Sequence, residues 1–183
     1  MRSPATALQI FLILSGLMVG GNIGPAVAQP ASQSHDIPQS LKLEHQDTLE
    51  QLTALTKHRG EVGVEARKAL DLFKKHRQRE EEFILPPLTL LPLLADGKIT
   101  PEMKWAIAMA DRVKAEREDI FQQHTQITDA MNALATAAKK ANDTAALAFA
   151  QSAVADSLND IELLEPMAIV IGDYLRAKLP AGQ

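Results

Sequence analysis

His76 and Glu80 stand one helical turn apart in the stretch KKHRQREEEFILPPL, residues 74–88. Side chains three and four residues apart share a helix face. The imidazole and the carboxylate therefore project together, on the stripe that also carries Phe73 and Phe83. A buried carboxylate or imidazole without a partner is strongly unfavourable, so such a pair facing a core needs a reason.

The same interruption recurs along the chain. Spacing of three and four aligns Leu41, His45, Thr48, Leu52 and Leu55 on one stripe. A second aligns Val113, Arg117, Ile120, His124, Ile127, Met131 and Leu134. A third aligns Phe149, Ala153, Asp156, Asp160, Leu163, Met167, Val170 and Tyr174. Each core stripe is broken near its middle by ionisable groups. A cation held between helices would neutralise the acids and use the imidazole lone pairs at once. The candidate metal ligands are His45, His76, Glu80, His124, Asp156 and Asp160. The competing reading is a layer of His–Asp/Glu ion pairs that sets helix register.

Other polar residues read more plainly. Glu81 and Glu82 are expected on a solvated face with Arg77 and Arg79. His58, beside a glycine, is expected at the surface, and His35 in a mobile lead. Met103, Met109, Met131 and Met167 are expected to fill the core. No nucleophile or general acid stands out. The chain has no cysteine, which excludes disulfides, thiolate zinc sites, iron–sulfur clusters and C-x-x-C-H haem attachment.

Several elements must position these residues. A helix is expected over 38–58 with Pro38 at its first position, and a second over 62–85. Thr100 would cap a third over 101–139, with Pro101 at its first position. Asn142 or Asp143 would cap a fourth that reaches about Lys178. Pro86 and Pro166 would each stop or kink a helix. Aromatic content is 4% and no stretch alternates with period two. The expected fold is all-α, an antiparallel four-helix bundle over residues 38–178.

Residues 1–28 read as a secretory signal. Arg2 precedes an apolar run, Leu8 to Val19, and Ala26-Val27-Ala28 forms a small-residue cleavage site. Residues 29–37 form a polar, flexible lead. A periplasmic destination follows as the expectation, without stable membrane insertion after cleavage. Cleavage would remove one positive charge and no acid, taking the formal net charge of −4 to −5. A mildly acidic chain without a basic block is a poor binder of nucleic acid.

The halves look related. Glu80 and Asp160 each follow a polar residue, His76 or Asp156, by four positions, and each precedes a proline, Pro86 or Pro166, by six. HQDTLEQLTAL (45–55) and HTQITDAMNAL (124–134) share their first and last residues.

His45 in LKLEHQDTLEQL, His76-x-x-x-Glu80 in HRQREEEFILPPL, and His124 in FQQHTQITDAMNAL together resemble the hemerythrin-like, or HHE cation-binding, family. The resemblance implies a four-helix bundle around a non-haem di-iron centre. The family pattern is His, H-x-x-x-E, His, H-x-x-x-E on successive helices. This chain departs from it on the last helix, where ADSLNDIELLEP presents Asp156-x-x-x-Asp160. Glu162 and Glu165 could substitute only in another register, because both lie off the Asp156/Asp160 face of a regular helix. An added carboxylate would favour ferric iron and sit poorly with reversible oxygen carriage.

Together with the signal segment, the resemblance implies an exported iron protein that binds or senses oxygen, nitric oxide or peroxide, or holds iron. Manganese and zinc are the alternative metals. The rival functions are a di-iron oxidase or peroxidase and a metal-free periplasmic adaptor or chaperone.

Overall fold

The structure is a computed structural model that describes residues 35–180. The signal segment expected over 1–28, and most of the lead, lie outside the described residues. The described residues are helical, with no strand among them. Helix α1 spans Gln39–Leu55 and α2 spans Glu61–Arg79. Pro38 stands one place earlier than expected, as the residue before α1, and its carbonyl accepts from the Lys42 amide at 3.1 Å. From Arg79 the chain passes into a π-helical turn, Glu80–Ile84. A 3-10 turn, Pro86–Leu90, and the short α3, Leu91–Ala95, follow.

The helix expected over 101–139 is three pieces: a 3-10 turn Pro101–Lys104, α4 Trp105–Ala115 and α5 Arg117–Lys140. The break falls at Glu116, whose ψ of 9° leaves the helical region. Thr100 precedes the first piece without a capping hydrogen bond from its side chain. Arg117, expected on the core stripe, is exposed beyond the break. Asn142, at φ 54°, makes the next turn, and Asp143 caps α6, Thr144–Asn159, by accepting from the Ala146 amide at 3.0 Å. A second π turn, Asp160–Leu164, leads into α7, Glu165–Lys178.

The two π turns have a common origin. In each, an amide bonds to the carbonyl five residues back: Leu85 to Glu80 at 2.9 Å, and Glu165 to Asp160. Pro86 and Pro166 follow at once. A proline ring crowds the carbonyl four residues before it, here Glu82 or Glu162, and a widened turn relieves that crowding. The turns begin at Glu80 and Asp160, the paired positions of the sequence repeat, so the repeat is present in the backbone as well.

A π turn holds one residue more than an α turn, and everything after it faces one position later. The stripe expected through Leu163, Val170 and Tyr174 is accordingly misplaced. Those residues are 55%, 63% and 40% exposed, while Ala168, Ile171 and Leu175 occupy the core at 0%, 3% and 0%. Met167 packs against that core from a partly buried position.

Helices α1, α2, α5 and α6 close a ring: α1 packs on α2, α2 on α5, α5 on α6, and α6 meets α1. Helix α4 packs on α7 and on the first π turn. Two apolar cores result. One gathers Leu52, Phe73, Ile127, Met131 and Leu134, the other Phe83, Ile84, Val113, Ile120 and Leu175. The polar residues of the stripes fall between them in sequence, His76 and Glu80 between Phe73 and Phe83, and His124 between Ile120 and Ile127. Residues 35–37 of the lead run up to α1: His35 stacks on Trp105 with ring centroids 3.8 Å apart, and Ile37 packs on the second core. No helix among the described residues is long and apolar enough to cross a membrane.

The α4–α7 contact depends on small residues. A Cβ on Gly172 would lie 2.2 Å from the Ala110 Cβ, so the two backbones must separate to admit it. Gly172→Ala is expected to destabilise the fold by roughly 1–3 kcal/mol through overpacking. Urea denaturation would show it as a lower midpoint with an unchanged slope.

Candidate metal centre

The structure brings four of the six candidate ligands into one cluster. One ligand atom from each of His76, Glu80, His124 and Asp160 lies within 4.8 Å of all the others. His76, Glu80 and His124 are 4%, 1% and 0% exposed. His45 joins through Glu80: its Nε2 stands 3.1 Å from Glu80 Oε2, and His76 Nε2 stands 3.2 Å from the same oxygen. The His76 and His124 rings meet edge to face, 4.3 Å between centroids. Asp156 stands outside the cluster. It lines, with Glu44, the more exposed part of a cavity of about 30 Å³ that reaches His45, His76, Glu80 and Asp160. That volume admits a single water-sized species.

Further side chains complete the site. His45 Nδ1 meets Glu81 Oε1 at 3.1 Å, and Arg77 Nε donates to the same oxygen at 2.8 Å. Glu81 thus orients an imidazole as well as pairing with Arg77. Its expected partner Arg79 turns instead to Glu116, and Glu82 pairs with Arg112. His124 Nδ1 hydrogen-bonds Ser157 Oγ at 2.9 Å. His124 Nε2 stands 2.8 Å from Glu165 Oε1, a carboxylate only 5% exposed. The π turn at Asp160–Leu164 supplies the other register in which Glu165 turns inward. Glu162 stays exposed. The proline six residues after Asp160 was the available signal. Nothing in the sequence marks Ser157, which takes the inward place beside Asp156 because α6 buries Ala150, Ala153 and Ser157 together.

The site leaves buried polar atoms without hydrogen-bond partners: His76 Nδ1, Glu80 Oε1, His124 Nε2 and Glu165 Oε1. His124 Nε2 and Glu165 Oε1 stand 2.8 Å apart yet form no hydrogen bond. Buried polar atoms are nearly always satisfied. Orphans concentrated among imidazoles and carboxylates are what ligands to a cation leave, since a metal takes lone pairs from both kinds of group. The residues present therefore fit a metal ion.

The electrostatics agree. Burial opposes the charge on Glu80, but His76 and then His45 outweigh it and bring its carboxyl down to about 2. Burial would lower His45, yet its bond to Glu80, aided by Glu81, raises it. Burial chiefly, with the charge on Glu80 next, pushes Asp160 up to about 8. Asp156 is raised by burial, and Glu44 by burial and by Asp156.

Asp160 gives a signed pH dependence. Its folded value lies above the ordinary 3.8, so the metal-free fold binds this proton more tightly than the unfolded chain does. That contribution is complete below about pH 4 and is lost as the pH rises through about 8. A ligand carboxylate must be deprotonated, so metal affinity is expected to climb between pH 6 and pH 8 and level off above. Metal titrations at pH 6, 7, 8 and 9 would show it, with proton release on binding that fades at the top of the range. A flat affinity would remove Asp160 from the ligand set.

Comparison of this chain with protein-family models, with curated proteins and with solved structures finds no match.

Proposed function

We propose that this chain is an exported, hemerythrin-like four-helix bundle carrying a non-haem metal centre, most simply di-iron. The packing of α1, α2, α5 and α6 in a ring supports the four-helix reading. The observation that carries the reading is the buried convergence of His76, Glu80, His124 and Asp160, with His45 on Glu80. The motif resemblance around His45, His76–Glu80 and His124 supports iron over manganese or zinc. The signal-like residues 1–28 support export to the periplasm.

When bound, iron would supply affinity for oxygen, nitric oxide or peroxide. Glu80 stands between His45 and His76, the place of a shared carboxylate. Glu81 and Ser157 hold the rings of His45 and His124 by their Nδ1 atoms, leaving each Nε2 for the centre. Asp156 and Glu44 border the small cavity and give it a negative rim, which favours the approach of cations. The carboxylate-rich set favours sensing, redox chemistry or iron holding over reversible oxygen carriage.

The test is to load the purified protein with ferrous iron without oxygen, desalt it and count metal per chain, beside His76→Ala. Two irons per chain, reduced in the variant, are expected. Oxygen or nitric oxide admitted to the loaded protein should then change its optical spectrum. Absence of iron would defeat the reading, and a single iron would restrict it to a mononuclear site.

A further inference from the structure

The ligand set expected from the sequence ends with Asp156 and Asp160, and a regular helix would leave Glu165 facing away. The backbone does otherwise. The π turn Asp160–Leu164 adds one residue to the helix and rotates Glu165 inward. Its side chain is 7% exposed, and its Oε1 stands 2.8 Å from His124 Nε2. In the sequence repeat the equivalent of Glu165 is Leu85, an apolar core residue 1% exposed. The second half of the molecule thus places a carboxylate where the first half places leucine.

From this geometry we infer that Glu165 is a metal ligand, sharing a metal position with His124. The inference rests on the metal reading above. Two observations separate it from a plain ion pair. Neither His124 Nε2 nor Glu165 Oε1 has a hydrogen-bond partner despite their closeness, whereas an ion pair would align an N–H with the carboxylate. His124 Nδ1 is meanwhile engaged by Ser157, which leaves Nε2 free to coordinate. A separation of 2.8 Å suits two ligand atoms that share one cation at roughly 2.0–2.2 Å from each. The centre is then asymmetric. His45, His76 and Glu80 make its nitrogen-rich side, and the pairing of His124 with Glu165 adds a carboxylate on the other side. Asp156, the expected ligand, is replaced.

Anaerobic titration of the full protein with ferrous iron, and separately with manganese(II) followed by its electron paramagnetic resonance, tests the assignment. Wild type, Glu165→Gln and, as the control from the π turn that precedes it, Glu162→Gln are compared. Glutamine keeps the volume and the contact with His124 but loses the anionic ligand. Glu165→Gln is expected to weaken metal binding at least about tenfold and to alter the manganese spectrum, while the exposed Glu162→Gln stays close to wild type. Thermal unfolding of the metal-free proteins checks that both variants fold. If Glu165→Gln proves unfolded, Glu165→Asp replaces it, and the shortened arm should give the same direction of change. Unchanged binding and spectrum in a folded Glu165 variant would overturn the inference while leaving the metal centre standing. Wild-type protein that binds neither metal would overturn both.

Discussion

Glu80→Ala is expected to abolish metal binding and to destabilise the metal-free fold. Glu80 is 1% exposed, and two imidazoles, His45 and His76, converge on one of its oxygens. Its pKa near 2 records how strongly those rings favour its charge once the cost of burial has been met. Alanine would remove the carboxylate on which both rings converge and strand them in a space that water barely enters. Removing one partner of a buried charged pair costs roughly 3–5 kcal/mol. Urea denaturation in the presence of chelator would measure that loss. Elemental analysis after ferrous loading would measure the metal. Retention of the full metal complement by Glu80→Ala would show that the convergence is structural alone.

Metal loading should raise the melting temperature, and a chelator should return it. A ligand that binds only the folded state at 100 times its dissociation constant contributes about 2.7 kcal/mol. For a domain of this size each kcal/mol moves Tm by roughly 2–4 °C, which gives an expected rise of about 5–10 °C. Differential scanning of the protein with ferrous iron, manganese(II) and zinc, each with and without chelator, also ranks the metals. The metal-free adaptor reading makes the opposite prediction: no metal moves Tm, and the His–Glu layer does no more than set helix register. Indifference to all three metals would favour that reading.

The all-helical character and the stripes were legible because apolar residues recur at three- and four-residue steps, and that spacing forms an apolar face whichever partner covers it. His45, His76, Glu80 and His124 were legible for the same reason, each lying on a stripe of its own helix before any π turn disturbs the count. Asp160 is the last residue for which the count holds. Beyond it the regular period misassigned Leu163, Val170 and Tyr174 to the core and left Glu165 outside. A proline six residues after an acid signals crowding, but it does not say whether the helix will stop or widen. Both helices widen into a π turn and then differ: at Pro86 the α-helix gives way to a 3-10 turn, and at Pro166 it resumes as α7. The local sequences differ where it matters: Pro86 is followed by a second proline, Pro87, and Pro166 by Met167, so a second amide is missing and the helical backbone is disfavoured only after Pro86.

The helical periodicity, the residue types of the polar layer and the pairing of the two halves belong to the sequence, because each follows from the chemistry and spacing of neighbours along the chain. The choice of Ser157 over Asp156 beside His124, the turning of Glu81 toward His45 and the delivery of Glu165 to the centre belong to the tertiary structure. Each depends on the rotation of one helix against another, and a single extra residue in a π turn is enough to change it.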